Sequence, residues 1–121
     1  MIKLTFCLRR LPHLSREEFQ RYWREQHAPL VARHGKTLGI LRYVQVHAGH
    51  DALNAGIRAS RNAPEPYDGV AELWFESEAA MAANTSEAAA AAGRELLEDE
   101  RKFIDLENSP LWFNEEHVII G

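Results

Sequence analysis

The residue best placed for chemistry in this sequence is His27, which stands beside a predicted break in a helix. Pro29 lacks an amide hydrogen and disfavours helical backbone at Ala28, so the helix is expected to kink or stop near His27 and begin again. At such a break the imidazole can leave the helix face, point into a cavity and act as a general acid or base. The alternative is that the ring caps the interrupted helix by donating to a freed carbonyl. The flanking aromatic residues and the small residues described next favour the chemical role.

A hollow beneath this helix is predicted from two small residues, Gly69 and Ala71, on one face of a strand. If they face the helices, they cannot fill the space under the aromatic side of the first helix. Because protein interiors leave little space empty, either large aromatic side chains descend into the hollow or a flat ligand occupies it. Both interpretations stay open. The candidate substrate-binding residues are Phe19, Tyr22, Trp23, His47, Gly69, Ala71 and Phe103.

Two tyrosines are further catalytic candidates. Tyr43 shares a strand face with His47, and Tyr67 precedes the next strand. A phenol can hold or protonate an oxyanion, so either hydroxyl could assist His27. For each tyrosine taken singly, cross-strand aromatic packing with a satisfied hydroxyl is the favoured interpretation.

The sequence contains little that indicates a metal site or a cofactor site. His47, His50 and Asp51 lie at a strand end and in the loop after it, with no second cluster to complete a metal site. The sequence has no glycine-rich phosphate loop and no nucleophile elbow, and haem binding at a histidine is only weakly supported. We therefore expect neither a metal nor another cofactor.

Two adjacent carboxylates, Asp99 and Glu100, could orient a histidine. Because their helix is densely charged, we expect them to be solvated instead. The residues that mark the inward stripe of this helix are Leu96, Leu97, Glu100, Phe103 and Ile104.

Composition limits the class of protein. The 121 residues form a single predicted domain, residues 1–121, with a net charge of −4 and no basic run, which argues against nucleic acid as a partner. No apolar stretch approaches the roughly 18 residues of a membrane span. Cys7 is the only cysteine, so no intrachain disulfide can form, and a buried, inert thiol is expected. We expect a soluble cytoplasmic protein.

The elements that must position these residues alternate between strands and helices. Period-two patterns predict strands at Ile2–Arg9, Ile40–His47, Tyr67–Phe75 and His117–Ile120. A capping box at Ser15 and Glu18 begins the first helix, and Ser77 begins a helical region to about Asp105, broken at 84–86. The segment 48–66 is predicted to be a long loop that has room for one helical turn around 52–59. The order βαββαβ predicts an α+β, ferredoxin-like antiparallel sheet with both helices on one face.

Such a sheet has one uncovered face, which would carry Val70, Trp74, His117 and Ile119. Apolar surface in contact with water is unfavourable, so two copies are expected to pack sheet to sheet. A symmetric homodimer is therefore predicted.

The chain resembles the EthD family of dimeric α+β barrel proteins. The resemblance covers nearly the whole chain and is weakest over 49–64. Its segments are Tyr22–Trp23, His27–Val31, Arg42–Gln45, Tyr67–Phe75 and Glu115–Ile120. Related barrels include cofactor-free monooxygenases, cyclases, decarboxylases and lactone isomerases, with a pocket between sheet and helices. By resemblance, His27 corresponds to the family's histidine and is the leading catalytic candidate.

Two functions from different classes are compatible with these features. The first is a cofactor-independent enzyme of isomerase, cyclase, decarboxylase or oxidoreductase type, acting on a small cyclic or aromatic carbonyl compound in catabolic or secondary metabolism. In it His27 moves a proton, and Tyr43 or Tyr67 holds the oxyanion. The second is a non-catalytic protein that binds a small hydrophobic ligand for a monooxygenase system.

Overall fold

The computed structural model describes all 121 residues and contains four strands and five α-helices. The strands are β1 (Ile2–Leu8), β2 (Arg42–His47), β3 (Gly69–Phe75) and β4 (Leu111–Asn114). The helices are α1 (Arg16–Tyr22), α2 (Ala28–Leu38), α3 (Asp51–Arg61), α4 (Glu78–Ala83) and α5 (Glu87–Glu100). A π-helical turn (Trp23–His27) joins α1 to α2, and a short 3₁₀ helix (Leu106–Asn108) precedes β4.

The strands form one antiparallel sheet in the order β2-β3-β1-β4, which confirms the ferredoxin-like fold. In its register Phe6 lies opposite Ala71, and Tyr43 lies opposite Leu73. These side chains share the face that the helices cover. The core that joins this face to the helices consists of Phe6, Leu8, Phe19, Trp23, Ala71, Phe103 and Ile104.

The first helical segment is interrupted near His27, as the proline predicts. Ser15 and Glu18 form the expected capping box at its start. At its end the Ala28 amide donates to the carbonyl of Trp23, five residues earlier, so the break takes the form of a π-helical turn. Pro29 lies in the first turn of α2, where its missing amide hydrogen costs least.

The last strand lies earlier in the chain than the sequence predicts, and the prediction of a strand at His117–Ile120 is wrong. Leu111 pairs with Phe6, and Lys3 pairs with Asn114, so β4 occupies the free edge of β1. The Cys7 amide donates to the Pro110 carbonyl at 2.9 Å, which extends this pairing. The apolar run Val118–Ile120 resembles a strand in sequence but is 76–97% exposed.

The segment predicted to be mainly loop contains an eleven-residue helix, α3. None of its residues is buried, and Leu53 and Ile57, one helical turn apart, are left exposed. A bidentate contact from Arg16 to Asp51 ties its first turn to α1.

The uncovered face of the sheet is more polar than expected. Lys3 pairs with Glu72, and Glu116 accepts a hydrogen bond from the Trp74 indole. Trp74 is therefore only 8% exposed, although Val46 and Trp112 remain about half exposed. The homodimer stays a prediction.

Candidate functional site

A cavity of about 410 Å³ lies between the covered face of the sheet and the helices α2, α4 and α5. Its wall is mainly aliphatic and aromatic, and no lysine or arginine contributes to it. The polar residues in the wall are His27, Tyr43, Asn84, Thr85, Ser86 and Glu100. Such a cavity suits a small, uncharged and largely apolar ligand.

His27 is the last residue of the π-helical turn and is only 5% exposed. Its Nδ1 lies 2.7 Å from Oδ2 of Asp99, and the other oxygen of that carboxylate accepts the Tyr22 hydroxyl at 2.6 Å. The Phe103 ring lies 5.1 Å from the imidazole, centroid to centroid. The ring is therefore held on one side by a carboxylate and on another by an aromatic contact.

Burial lowers the pKa of His27 below 6.5, although the hydrogen bond and charge of Asp99 oppose this. Burial also opposes ionisation of Asp99, but the hydrogen bonds from Tyr22 and His27 outweigh it and lower the pKa of that carboxyl. At neutral pH, Asp99 is a carboxylate that accepts the Nδ1 proton, and the imidazole is neutral. Nε2 then carries a lone pair, has no hydrogen-bond partner in the chain and is not fully enclosed.

Tyr43 enters the same cavity from β2. The Gln45 amide donates to the Tyr43 hydroxyl oxygen at 2.8 Å and to the Trp23 carbonyl at 3.0 Å. Because a carbonyl can only accept, these contacts fix which end of the Gln45 amide faces Tyr43. The Gln45 oxygen in turn accepts from Nε2 of His47 at 2.8 Å. The Tyr43 proton has no acceptor within the chain, so the hydroxyl is free to donate to a ligand.

The hollow is filled by an aromatic side chain at one end and is open at the other. Over Gly69, the Trp23 ring occupies the space so closely that an added Cβ would lie 2.5 Å from its Cζ3 atom. Ala71, two residues further along β3, lines the cavity. The aromatic side chain therefore closes one end of the hollow and leaves the other open.

Four of the ten sequence-predicted site residues line this cavity: His27, Tyr43, Trp23 and Ala71. The other six do not. Phe19 and Phe103 are fully buried in the core. Tyr22 donates its hydroxyl to Asp99, and His47 packs on Trp23 at 4.5 Å between centroids.

Tyr67 and Gly69 are the remaining two of these six. Tyr67 lies under the Arg9 guanidinium, which is 4.4 Å from the centre of its ring. Gly69 lies beneath Trp23, as described above.

Asp99 and Glu100 both lie at the site. The charge density of their helix predicts that they are solvated instead. Asp99 is buried and orients His27, and Glu100 lines the cavity. The sequence does mark Glu100 as a residue that faces the interior, because it belongs to the predicted inward stripe of α5. Asp99 has no comparable local signal, because its partner lies 72 positions away in sequence.

No three histidine, cysteine, aspartate or glutamate side chains come together as metal ligands. None of the helices has both the length and the apolar character needed to traverse a bilayer.

Fold and cavity together define a ferredoxin-like α+β protein with a small-molecule-sized space between sheet and helices. Residues 11–107 match the EthD domain family model. This match covers most of the chain, which therefore belongs to the EthD family. No curated protein matches the sequence.

Several solved structures share the fold, including the following three. An ethyl tert-butyl ether degradation (EthD) family protein from Bacillus halodurans is 20% identical, with 97% of this chain and 99% of that chain aligned and a TM-score of 0.59. An EthD-like protein from Ralstonia eutropha is 18% identical, with 98% and 94% aligned and a TM-score of 0.60. HapK from Hahella chejuensis is 13% identical, with 100% and 96% aligned and a TM-score of 0.56.

Proposed function

We propose that this protein is a cofactor-independent enzyme that moves a proton on a small, uncharged cyclic or aromatic carbonyl compound. The observation that carries the proposal is the contact between His27 and Asp99, which leaves Nε2 without a partner on a histidine that lines a mainly apolar cavity. Isomerisation and cyclisation both use proton transfer of this kind, in catabolic or secondary metabolism.

In this proposal His27 is the general base. Nε2 removes a proton from the carbon next to the carbonyl group, and the electron pair of the broken C–H bond moves toward the carbonyl oxygen. The Asp99 carboxylate stabilises the imidazolium that forms and holds its Nδ1 proton in place. The Tyr43 hydroxyl donates to the oxyanion, since its own oxygen already accepts from Gln45.

The apolar wall contributes by excluding water. Most of the wall is apolar, and hydrogen bonds are stronger in a medium of low dielectric constant. An anionic substrate would meet no lysine or arginine in the wall, which is why the proposal specifies an uncharged compound.

The test is deuterium incorporation into a probe ketone. Wild-type protein is incubated in D₂O with 2-tetralone or 2-indanone, and loss of the α-proton signal is followed by NMR. Because general acid–base assistance contributes roughly 10²–10⁴-fold, His27→Ala should slow the protein-dependent exchange by about that factor. His34→Ala is the matched control, since His34 forms a surface pair with Glu95 and should keep the wild-type rate. A loss of less than about threefold in His27→Ala would reject the assignment.

A second candidate is a non-catalytic protein that binds a hydrophobic metabolite for a partner oxygenase. The large apolar share of the cavity wall favours it, because binding alone needs no base. Equal affinity of wild-type and His27→Ala proteins for the probe ketone would support this candidate over the enzyme, provided that neither protein catalyses deuterium exchange.

A homodimer through the uncovered sheet face is part of the proposal. The half-exposed Val46 and Trp112 side chains lie on that face and support it.

A further inference from the structure

Glu100, the last residue of α5, is placed differently from its neighbour Asp99. The Asp99 carboxylate turns toward His27 and Tyr22, whereas the Glu100 side chain lines the cavity. The Glu100 carboxyl group has neither a hydrogen bond nor an ion pair within the chain, although the neighbouring side chains of Arg101 and Lys102 pair with Glu98 and Asp99. An unpaired carboxyl group on a residue that lines a mainly apolar cavity has no evident structural role.

The surroundings of Glu100 favour its protonated form. Burial, followed by the charge of Asp99, raises the pKa of Glu100 from 4.5 to about 7, and the Arg101 guanidinium opposes this only in part. The other titratable groups on the cavity wall are His27 and Tyr43, and neither is a cation at neutral pH. With no lysine or arginine in the wall, nothing inside the cavity compensates a negative charge on Glu100.

We propose that Glu100 is a second proton-transfer residue of the cavity, working with His27 on a substrate that gives up a proton at one atom and takes one up at another. This inference rests on the proposed function. It narrows the reaction class to isomerisation of the keto–enol or allylic type, in which the proton count of substrate and product is the same.

One proton leaves the substrate and one enters it in each cycle. Nε2 of His27 takes the α-proton, so a C–H bond breaks, an N–H bond forms and the electron pair becomes part of a new C=C bond. The Glu100 carboxylic acid gives its proton to the carbonyl oxygen or to the far carbon of the conjugated system, which forms the new O–H or C–H bond. The result is an imidazolium and a carboxylate, and transfer of the proton between them through water restores the starting state.

The inference also excludes a substrate class. Above neutral pH the carboxylate form of Glu100 repels a second negative charge in a cavity without cations. A flat, uncharged ketone or phenol should therefore bind, and a carboxylate of the same shape should not.

The test compares wild-type protein with Glu100→Gln, which keeps the shape of the side chain and removes its ionisation. Glu87→Gln is the control, because Glu87 is an exposed carboxylate on the same helix with no ion pair. In deuterium exchange of 2-tetralone, Glu100→Gln should be 10- to 100-fold slower at pH 6.5. Its rate should also lack the decline that wild-type protein shows as pH rises through about 7.

Two further measurements do not depend on exchange activity. In protein labelled with ¹³C at the glutamate carboxyls, one resonance should titrate near pH 7 and be missing from Glu100→Gln. At pH 8.5, Glu100→Gln should bind 2-naphthoate at least tenfold more tightly than wild-type protein does, with 2-naphthol binding unchanged.

The outcomes separate this inference from the function on which it rests. If Glu100→Gln exchanges deuterium at the wild-type rate and with the wild-type pH profile, the role of Glu100 is contradicted. The role of His27 is not affected by that result. An ordinary carboxyl titration near pH 4.5 in every resonance also contradicts the role of Glu100. No protein-dependent exchange by the wild type contradicts the proposed enzyme, and the catalytic role of Glu100 falls with it.

Discussion

Nδ1 of His27 and Oδ2 of Asp99 lie 2.7 Å apart, although 72 positions separate the two residues in the chain. The contact joins the π-helical turn to the end of α5 and buries both side chains. Asp99 has a second partner in the Tyr22 hydroxyl. Because both carboxylate oxygens are engaged, the imidazole is held in one orientation and one tautomer.

Replacing Asp99 by Asn should lower both the exchange rate and the pKa of His27. The hydrogen bond and charge of Asp99 raise that pKa, so without the carboxylate the acid limb of the rate profile should move to lower pH. Loss of the imidazolium's counter-charge should slow exchange by at least about tenfold.

The pKa of His27 in this variant is measured from the pH dependence of its ring-proton NMR signals. The control is Glu98→Gln, which removes the same charge one position earlier from a side chain that is 72% exposed. A limb that moves to higher pH in Asp99→Asn would show that the carboxylate does not act on His27.

Replacing Gly69 by Ala should destabilise the fold. The added Cβ would lie 2.5 Å from the Trp23 ring and 2.7 Å from the Val46 carbonyl oxygen, and neither group can move freely. Overpacking of this kind typically costs about 1–3 kcal/mol, measured as the free energy of unfolding in urea.

Gly93 provides the matched control for this substitution. It lines the cavity within α5, and an added Cβ there meets nothing within 4 Å. Gly93→Ala should therefore stabilise the protein by roughly 0.5–1 kcal/mol through helix propensity. Equal stability changes in the two variants would mean that Trp23 does not close the hollow over Gly69.

Glu100 should make the protein less stable above pH 7 than at pH 4.5, with the loss falling between these two values. Its pKa is 4.5 ordinarily and about 7 in the folded state, so between these values the folded protein holds a proton that the unfolded chain has released. Stability should fall as pH rises through this window, by a total on the order of 3 kcal/mol.

This dependence is measured by urea unfolding of wild-type protein and Glu100→Gln at pH 4.5, 6 and 8. The difference in stability in favour of Glu100→Gln should grow with pH, whereas Glu87→Gln should follow the wild type. A constant difference would contradict the elevated pKa.

The uncovered sheet face should hold two copies of the chain together. Light scattering at micromolar concentration should therefore give about twice the chain mass of 13.8 kDa. Trp112→Glu places a charge on that face and should yield monomers. A monomeric wild-type protein would contradict the predicted pairing.

The sequence predicts most of the fold because its local signals agree with one another. Alternation in Ile2–Leu8, the capping box at Ser15 and the break at 84–86 all correspond to observed elements. The last strand is misplaced because two apolar runs compete for it. Leu111–Phe113 pairs with β1, and Val118–Ile120 does not, which only the tertiary arrangement decides.

The site is less predictable than the fold. Pro29 marks His27 locally, but nothing near His27 in sequence indicates the partner at Asp99. The charge density of α5 favours solvated carboxylates, yet the helix turns Asp99 and Glu100 toward the interior. Likewise, the role of Gln45 beside Tyr43 depends on a contact with the carbonyl of Trp23 across the fold.

The state of the His27 ring tests the account most directly. In protein labelled with ¹⁵N at histidine, the imidazole signals at pH 7.5 should show a proton on Nδ1 and a lone pair on Nε2. Addition of 2-tetralone should shift the Nε2 signal, because His27 lines the cavity and that nitrogen has no partner within the chain. A proton on Nε2, or an Nε2 signal unchanged when the cavity is filled, would contradict the assignment of His27 as the base.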